Sequence, residues 1–388
     1  MPRRPLKLLS ISHSYVVPLN RRLLHEMVQA GGSRWEVSAV APKFFHGDLS
    51  PLTLNASDCT GFRMEAVDAR LSRWIQVMHY GRRLKSILAE PWDVVHGWEE
   101  PYVLAAAQIA YHARPESKLV FLTYQNISKK YPPPFSWIER YTMKRASGWI
   151  SGGETITRAL SGRPEYAARP MRKIPLGVDV EAFRLEPERG VTVRKALGWS
   201  DPGPPVIGYL GRFVTEKGVP FLTKVLDQLA APWRALFVGG GPGEAALRAW
   251  AERRPEQVRV VTGVSHDRVP EHLNAMDVLC APSQTTPIWR EQLGRMLIES
   301  FASGLPVVAS DSGEIPYVVD KAGVIVGEAD EPGWIQSLDQ LISSPDRRRE
   351  LSASGLARAH DVFAWSVVAR SHLAFFEELV DGGKPVVG

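Results

Sequence analysis

Cysteine is scarce in this chain of 388 residues: there are two, Cys59 and Cys280. Far apart in sequence, they make neither a disulfide framework nor a metal-ligand spacing, which suits a reducing, cytoplasmic setting. No apolar run reaches the roughly 18 residues that a membrane span needs. The basic start, Met1-Pro-Arg-Arg-Pro-Leu-Lys, leads into an apolar stretch that ends at His13 without a small-residue cleavage pattern, so it reads as a first strand and not as a signal peptide. Solenoid repeats and low-complexity tracts are also missing. So is any Asp-x-Asp motif, and Gly239-Gly240-Gly241-Pro242-Gly243 fails the G-x-G-x-x-G dinucleotide fingerprint in either register, at Glu244 or at Ala246.

What is present is globular. Apolar residues make up 44% and charged residues 23%, and the length exceeds one ordinary core, so two domains are expected. Charge is uneven. Residues 1–190 hold 27 Lys and Arg against 18 Asp and Glu, and the rest hold 20 against 24. A basic first half is either a solvated surface or the face of an anionic partner. Two of its stretches interleave cations with aromatics, 73–85 and 129–145. Read as a helix, the first places Trp74, Val77 and Met78 near one face, with Arg73 and Arg83 flanking it. Such aromatics, Trp137 included, either pack inward or sit at the headgroup level of an anionic membrane. Peripheral contact at the inner face of a membrane is therefore an expectation for this half; a nucleic-acid partner is not.

Short β-type runs alternate with helical segments throughout, the pattern of parallel sheets covered by helices. In the first half the strands are expected at 6–12, 35–40, 93–96, 119–124 and 148–151. Helices are expected at 19–30, stopping at Gly31-Gly32, and near 103–111 and 135–145. Glycine, proline and charge crowd residues 176–204, which marks a connection. A second series follows: VIGYLG (206–211), LFVGGG (236–241), VRVVTG (258–263), DVLCAPS (277–283), LPVVAS (305–310) and GVIVG (323–327). Each ends in small or polar residues, where a ligand crevice forms in this architecture.

Candidate chemistry gathers at those strand ends. In Gly211-Arg212-Phe213-Val214-Thr215-Glu216-Lys217-Gly218, glycines allow backbone N–H groups to approach a phosphate, Arg212 offers a planar fork and Lys217 a point charge. Taken alone, the octapeptide is equally a surface turn with two solvated cations. Farther on, Glu291 precedes a helical run, Gln292-Leu293-Gly294 opens it, and Glu299 lies inside it among Met296, Leu297, Ile298 and Phe301. A carboxylate in so apolar a context needs hydrogen-bond partners, and a pair of sugar hydroxyls would serve. Each glutamate singly is more often a solvated charge; together with the Arg212/Lys217 loop they point to a site.

This constellation resembles the retaining glycosyltransferases of family 4. The segments that carry the likeness are IPLGVDVEAF (174–183), GYLGRFVTEKG (208–218), LFVGGGPGEAAL (236–247), the Glu291-x7-Glu299 run and GLPVVASDSGEIP (304–316). The resemblance implies a GT-B fold, two Rossmann-like doubly wound domains facing a cleft. It divides the chain into an acceptor-side domain at 1–185, a donor domain at 186–362 and a closing helix at 363–388 that returns to the first. It implies transfer of a hexose from a UDP- or GDP-linked sugar to a sugar, lipid-linked or small-molecule acceptor, in polysaccharide or glycoconjugate synthesis. Arg212 and Lys217 would hold the diphosphate beside Gly211, Glu299 the ribose, and Glu291 the hexose. Gln292, Leu293 and Gly294 would line diphosphate and sugar, and Val264 the base. No metal or other cofactor is expected, since cations and helix N-termini can absorb the leaving charge. Where such enzymes often carry a histidine, this chain has Gln125-Asn126. With His13, Glu99 and Glu100 they are the acceptor-side candidates, and His96 is a further one. The alternatives are a nucleotide-sugar epimerase and a non-catalytic nucleotide-sugar or polysaccharide binding protein.

Overall fold

The computed structural model describes residues 4–47, 51–199 and 202–382. The chain divides into two compact units, residues 1–175 with 365–388 and residues 176–364, against the divisions at 185/186 and 362/363 expected from sequence.

The first unit is built on a seven-stranded parallel sheet. Its order is Met171–Lys173, Gly148–Ser151, Lys118–Thr123, Val94–Gly97, Leu6–Ile11, Trp35–Pro42 and Arg63–Val67. The central strands are apolar on both faces because helices cover both, so Leu8, Leu9 and Ile11 alike are fully buried. The helix Pro18–Gly31 ends where Gly32 turns to φ 47°, the glycine stop legible in the sequence.

The closing helix, Trp365–Val380, belongs to this unit. Its buried face carries Val368, His372, Leu373, Phe375 and Phe376. The Phe376 ring lies 6.3 Å from Trp35 and 5.5 Å from His96, so it ties the chain's end to two central strands. At the rim, Arg172 and Glu378 pair at 2.5 Å.

Two sequence readings change here. Residues 71–78 form turns and bends, not a helix, and they split the expected face: Met78 and Tyr80 enter the core while Trp74 stays 60% exposed. Trp137, on the helix Phe135–Arg145, is likewise 62% exposed. His96 is the second correction. It sits within the sheet, fully buried, its Nδ1 2.9 Å from Ser10 Oγ and its ring against His372 and Phe376. Burial, with the neighbouring His372, pushes its pKa well below the ordinary histidine value. It is a core residue and not a ligand-facing one.

The second unit has a six-stranded parallel sheet ordered Val258–Thr262, Arg234–Gly240, Val206–Arg212, Val278–Ala281, Val307–Ser310 and Val324–Val326. Its first strand in sequence lies inside the sheet, flanked by one strand that follows directly and one reached later. The direction of winding reverses there, and such a switch opens a crevice at the carboxyl ends of the strands. Among the described residues no helix is long and apolar enough to cross a membrane.

The closing helix should be a main support of the first unit. Phe376→Ala removes a fully buried ring and should cost about 3–5 kcal/mol of stability, read by chemical denaturation.

Candidate active site

The loop that follows Val206–Arg212 is shaped by close approaches. Gly218 has φ 72°, and a Cβ there would stand 1.8 Å from the Pro282 carbonyl oxygen, so only glycine lets the two loops touch. The contact is fixed on its other side by Gln284 N–H donating to the Glu216 carbonyl at 2.8 Å. A short turn, Thr215–Lys217, then lifts Lys217 toward the loop of 282–294.

There Lys217 Nζ forms an ion pair with Glu291 Oε2, and its ammonium also lies 5.1 Å over the Trp289 ring. Glu291 is 6% exposed and accepts a second hydrogen bond from Ser283 Oγ at 3.0 Å. Ser283 is itself held by Ser310 Oγ, which donates to its carbonyl at 2.6 Å. The Glu291 carbonyl accepts from Glu314 N–H at 3.0 Å, and Gly313 beside it has φ 55°, where a Cβ would stand 2.1 Å from that carbonyl oxygen. Three strand-end loops thus meet at one glutamate, two at its carboxylate and one at its backbone carbonyl.

Gly294, with φ 73°, caps the helix Arg295–Ala302, so Glu291 lies before the helix and Glu299 in its second turn. Gln292 is exposed and Leu293 buried. Arg212 ends its strand exposed, with the Tyr209 hydroxyl donating to its carbonyl at 2.7 Å. Burial above all, and then the Glu291 carboxylate, drives the Tyr209 phenol far above its ordinary pKa, while Arg212 opposes this. Arg212 and Glu291 therefore both lie within electrostatic reach of one buried phenol. Gly211 is half-buried at the same strand end, and Val264 is half-buried just past Val258–Thr262.

Glu299 is 5% exposed, and its partner is a residue the sequence reading missed. His266 Nε2 lies 2.9 Å from Glu299 Oε1, and the His266 ring packs 5.3 Å from Phe183. Nothing in the spacing of His266 to Glu299 betrays this, because His266 follows the edge strand Val258–Thr262 and Glu299 lies on the helix after Val278–Ala281, and the two meet only once the whole sheet is assembled. Its place two residues after Val264 was the available signal.

In the first unit the acceptor-side candidates also lie at strand ends. His13 and Glu99 meet directly: Glu99 Oε1 accepts from the His13 backbone N–H at 2.8 Å, and Oε2 lies 2.7 Å from Nδ1. The Tyr80 hydroxyl donates to the same carboxylate at 2.6 Å. Glu100 turns the other way, accepting from Thr123 Oγ1 at 2.6 Å and from Tyr124 N–H at 2.7 Å. Burial raises its pKa to about 7 despite those two donors. Gln125 and Asn126 are both buried, and neither amide atom of Gln125 has a partner among the described residues. A buried amide left so is a place for a ligand's polar groups or for water.

The chain is similar to known glycosyltransferases. Residues 195–358 match the sequence family Glycosyl transferases group 1, a stretch that lies within the second unit. The chain is 29% identical over 240 residues to a GDP-mannose-dependent monoacylated alpha-(1-6)-phosphatidylinositol monomannoside mannosyltransferase of Corynebacterium glutamicum, covering 60% of this chain and 59% of that enzyme. It is 26% identical over 366 residues to the lipopolysaccharide core biosynthesis mannosyltransferase LpsB of Rhizobium meliloti, covering 89% and 98%. The matches to the Corynebacterium enzyme and to a similar mannosyltransferase of Mycolicibacterium smegmatis span less than two thirds of those relatives' length. Among solved structures, a glycosyltransferase from Rickettsia africae superposes with a TM-score of 0.77 at 14% identity, over 98% of this chain and all of that one. Anabaena HepE in complex with UDP and glucose gives 0.72 at 17%, over 96% and 99%. The architecture is GT-B: two Rossmann-like domains.

Glu100 supplies a test of the first unit's strand ends. Its folded pKa lies above the ordinary carboxylate value of 4.5, so the stability it contributes is complete below that value and lost as pH rises through about 7. Glu100→Gln removes the charge; its amide oxygen still accepts from Tyr124 N–H, and its NH2 donates to Thr123 Oγ1 in place of accepting from it. It should flatten this fall between pH 4.5 and 7, a difference on the order of 3 kcal/mol in denaturation midpoints converted to free energy.

Proposed function

We propose that the protein is a retaining glycosyltransferase that moves a hexose from a UDP- or GDP-linked sugar to an acceptor hydroxyl in polysaccharide or glycoconjugate synthesis. The observation that carries this reading is the convergence of Lys217 and Glu291, two strand-end groups 74 positions apart, in the stretch that matches the group 1 glycosyltransferases. The relatives' names supply the substrate classes: a GDP-mannose donor in one, a lipid or saccharide acceptor in two, and UDP with glucose bound in a structural neighbour.

In this reading the new bond joins the acceptor oxygen to the hexose C1, the bond from C1 to the diphosphate oxygen breaks, and the acceptor hydroxyl's proton passes to the departing diphosphate. Negative charge grows on the diphosphate as it leaves. Arg212 and Lys217 meet that charge, one as a planar fork and the other as a compact cation with three N–H donors. One of those donors serves Glu291, which leaves two for phosphate oxygens. Preorganised cations at the place where charge develops are the largest common source of catalysis. They allow turnover without a metal.

Glu291 then has two tasks. It fixes Lys217, and its buried carboxylate faces the hexose with Ser283 holding its orientation. Glu299, buried and aimed by His266, is suited to accept from ribose hydroxyls. Gln292, Leu293 and Gly294 lie between the two carboxylates in sequence, where diphosphate and sugar would join, and Val264 borders the base. In the first unit His13, Glu99, Glu100, Gln125 and Asn126 offer polar contacts to a sugar.

Arg212→Ala should lower kcat by roughly 10²–10³ with the fold intact, the scale for losing one preorganised donor. Release of nucleoside diphosphate, followed with and without acceptor, reads this directly. The same assay separates the alternatives, because an epimerase isomerises the sugar and releases no nucleotide, and a binding protein does neither. Activity should persist in excess chelator; its abolition would refute metal-free turnover.

A further inference from the structure

The first unit carries exposed aromatic side chains that its own core does not use. Along the helix Phe135–Arg145 the residues at i, i+3, i+4 and i+7, Trp137, Arg140, Tyr141 and Lys144, are all exposed and form one outward stripe. The opposite face, through Thr142 and Met143, is buried. Trp137 and Tyr141 stand 62% and 38% exposed, a large apolar area to leave in water on adjacent turns of a helix. The loop before it adds Lys129 and Lys130, both exposed.

A second aromatic point lies nearby. Residues 70–74 form a turn closed by Trp74 N–H donating to the Leu71 carbonyl at 2.9 Å. Leu71 and Trp74 project from it, 49% and 60% exposed, each directly after an exposed cation, Arg70 and Arg73. Both points flank one helix, Leu104–His112. Its first N–H donates to the Gln76 carbonyl at 3.0 Å, and Arg145 at the end of the stripe helix donates to its Ala110 carbonyl at 3.3 Å. The Tyr102–Tyr131 stack, with centroids 4.2 Å apart, joins the start of that helix to the lysine loop. Turn, loop and stripe therefore share one flank of the unit.

The chemistry of the flank selects among partners. Segment 128–145 holds five cations and one carboxylate, Glu139, which is engaged by Arg163 at 2.8 Å. Arg140 is spent on Glu165, but Lys129, Lys130 and Lys144 form no ion pair among the described residues. Protein–protein interfaces are depleted in lysine, whereas aromatic rings bordered by lysines suit the headgroup layer of an anionic bilayer.

We propose that this flank docks on the surface of an anionic lipid membrane, with Trp74 and Trp137 entering the headgroup layer and Lys129, Lys130 and Lys144 meeting lipid phosphates. Contact is through a turn tip and the outer face of one helix. The proposal does not depend on which sugar is transferred, since none of these residues belongs to the donor-side loops.

Co-sedimentation of the full chain with vesicles tests it. Vesicles of phosphatidylcholine with phosphatidylglycerol should bind the protein at low salt, and pure phosphatidylcholine should bind it at least tenfold more weakly. Raising salt should release it, because each cation near the surface acts through a screened potential. Lys129→Glu, Lys130→Glu and Lys144→Glu combined should reduce the partition coefficient by at least a hundredfold. Trp74→Ser with Trp137→Ser should reduce it at least tenfold at unchanged thermal stability, as both rings are exposed. No binding to anionic vesicles at low salt would overturn the proposal, and so would binding that these variants leave intact. A shift from dimer to monomer in the tryptophan variants, without loss of vesicle binding, would assign the flank to self-association instead.

Discussion

The contact between Lys217 and Glu291 is the constraint around which the second unit's strand ends are organised. A carboxylate 6% exposed is costly unless paired, and a lysine brought this far inward needs a counter-charge. Each makes the other tolerable. The geometry that joins them requires Gly218 to pass against the Pro282 carbonyl and Gly313 to pass against the Glu291 carbonyl. Two glycines with positive φ thus lie in the loops that carry the pair. Replacing the pair with apolar residues would relieve the desolvation cost, so its presence is better explained by what the ammonium and the carboxylate can do for a ligand than by stability.

A similar arrangement recurs eight residues farther on, in the second turn of the helix Arg295–Ala302. Glu299 is buried with His266 as Glu291 is with Lys217. Both carboxylates thus have nitrogen partners before any ligand arrives, and both keep acceptor capacity, since a carboxylate offers about four lone-pair sites. A polyhydroxy ligand can add to these partners without dismantling them. The loops are held by protein contacts, so little ordering would remain to be done on binding.

Much of this was legible in the sequence, and the reasons are physical. Strands buried on both faces read as unbroken apolar runs, which is why VIGYLG and LFVGGG announce themselves. Gly31-Gly32 marks a helix end because glycine takes positive φ without strain. The paired glutamates stood out because acids are rare among residues such as Leu297, Ile298 and Phe301. What was not legible depends on contacts between distant segments. His266 becomes a partner of Glu299 only through sheet order. His96 looks like a strand-end histidine until the closing helix is seen to cover it with His372 and Phe376. Residues 71–78 place Trp74, Val77 and Met78 at a helical spacing, yet Leu71 takes φ 58° and the segment turns.

That last misreading exposes a general asymmetry between the two halves. In the second unit the functional candidates are charged groups drawn inward, each with a partner that explains its burial. In the first, Trp74 and Trp137 are apolar groups left outside the core. Inward charge and outward aromatics are both departures from the rule that apolar residues fill cores. The first kind is stabilised locally by ion pairs and hydrogen bonds, and so points to a small ligand that shares those bonds. The second has no local compensation within the unit. Its stabilisation has to come from a surface large enough to cover rings on two separate elements, and a bilayer meets that requirement without needing a shape complementary to either.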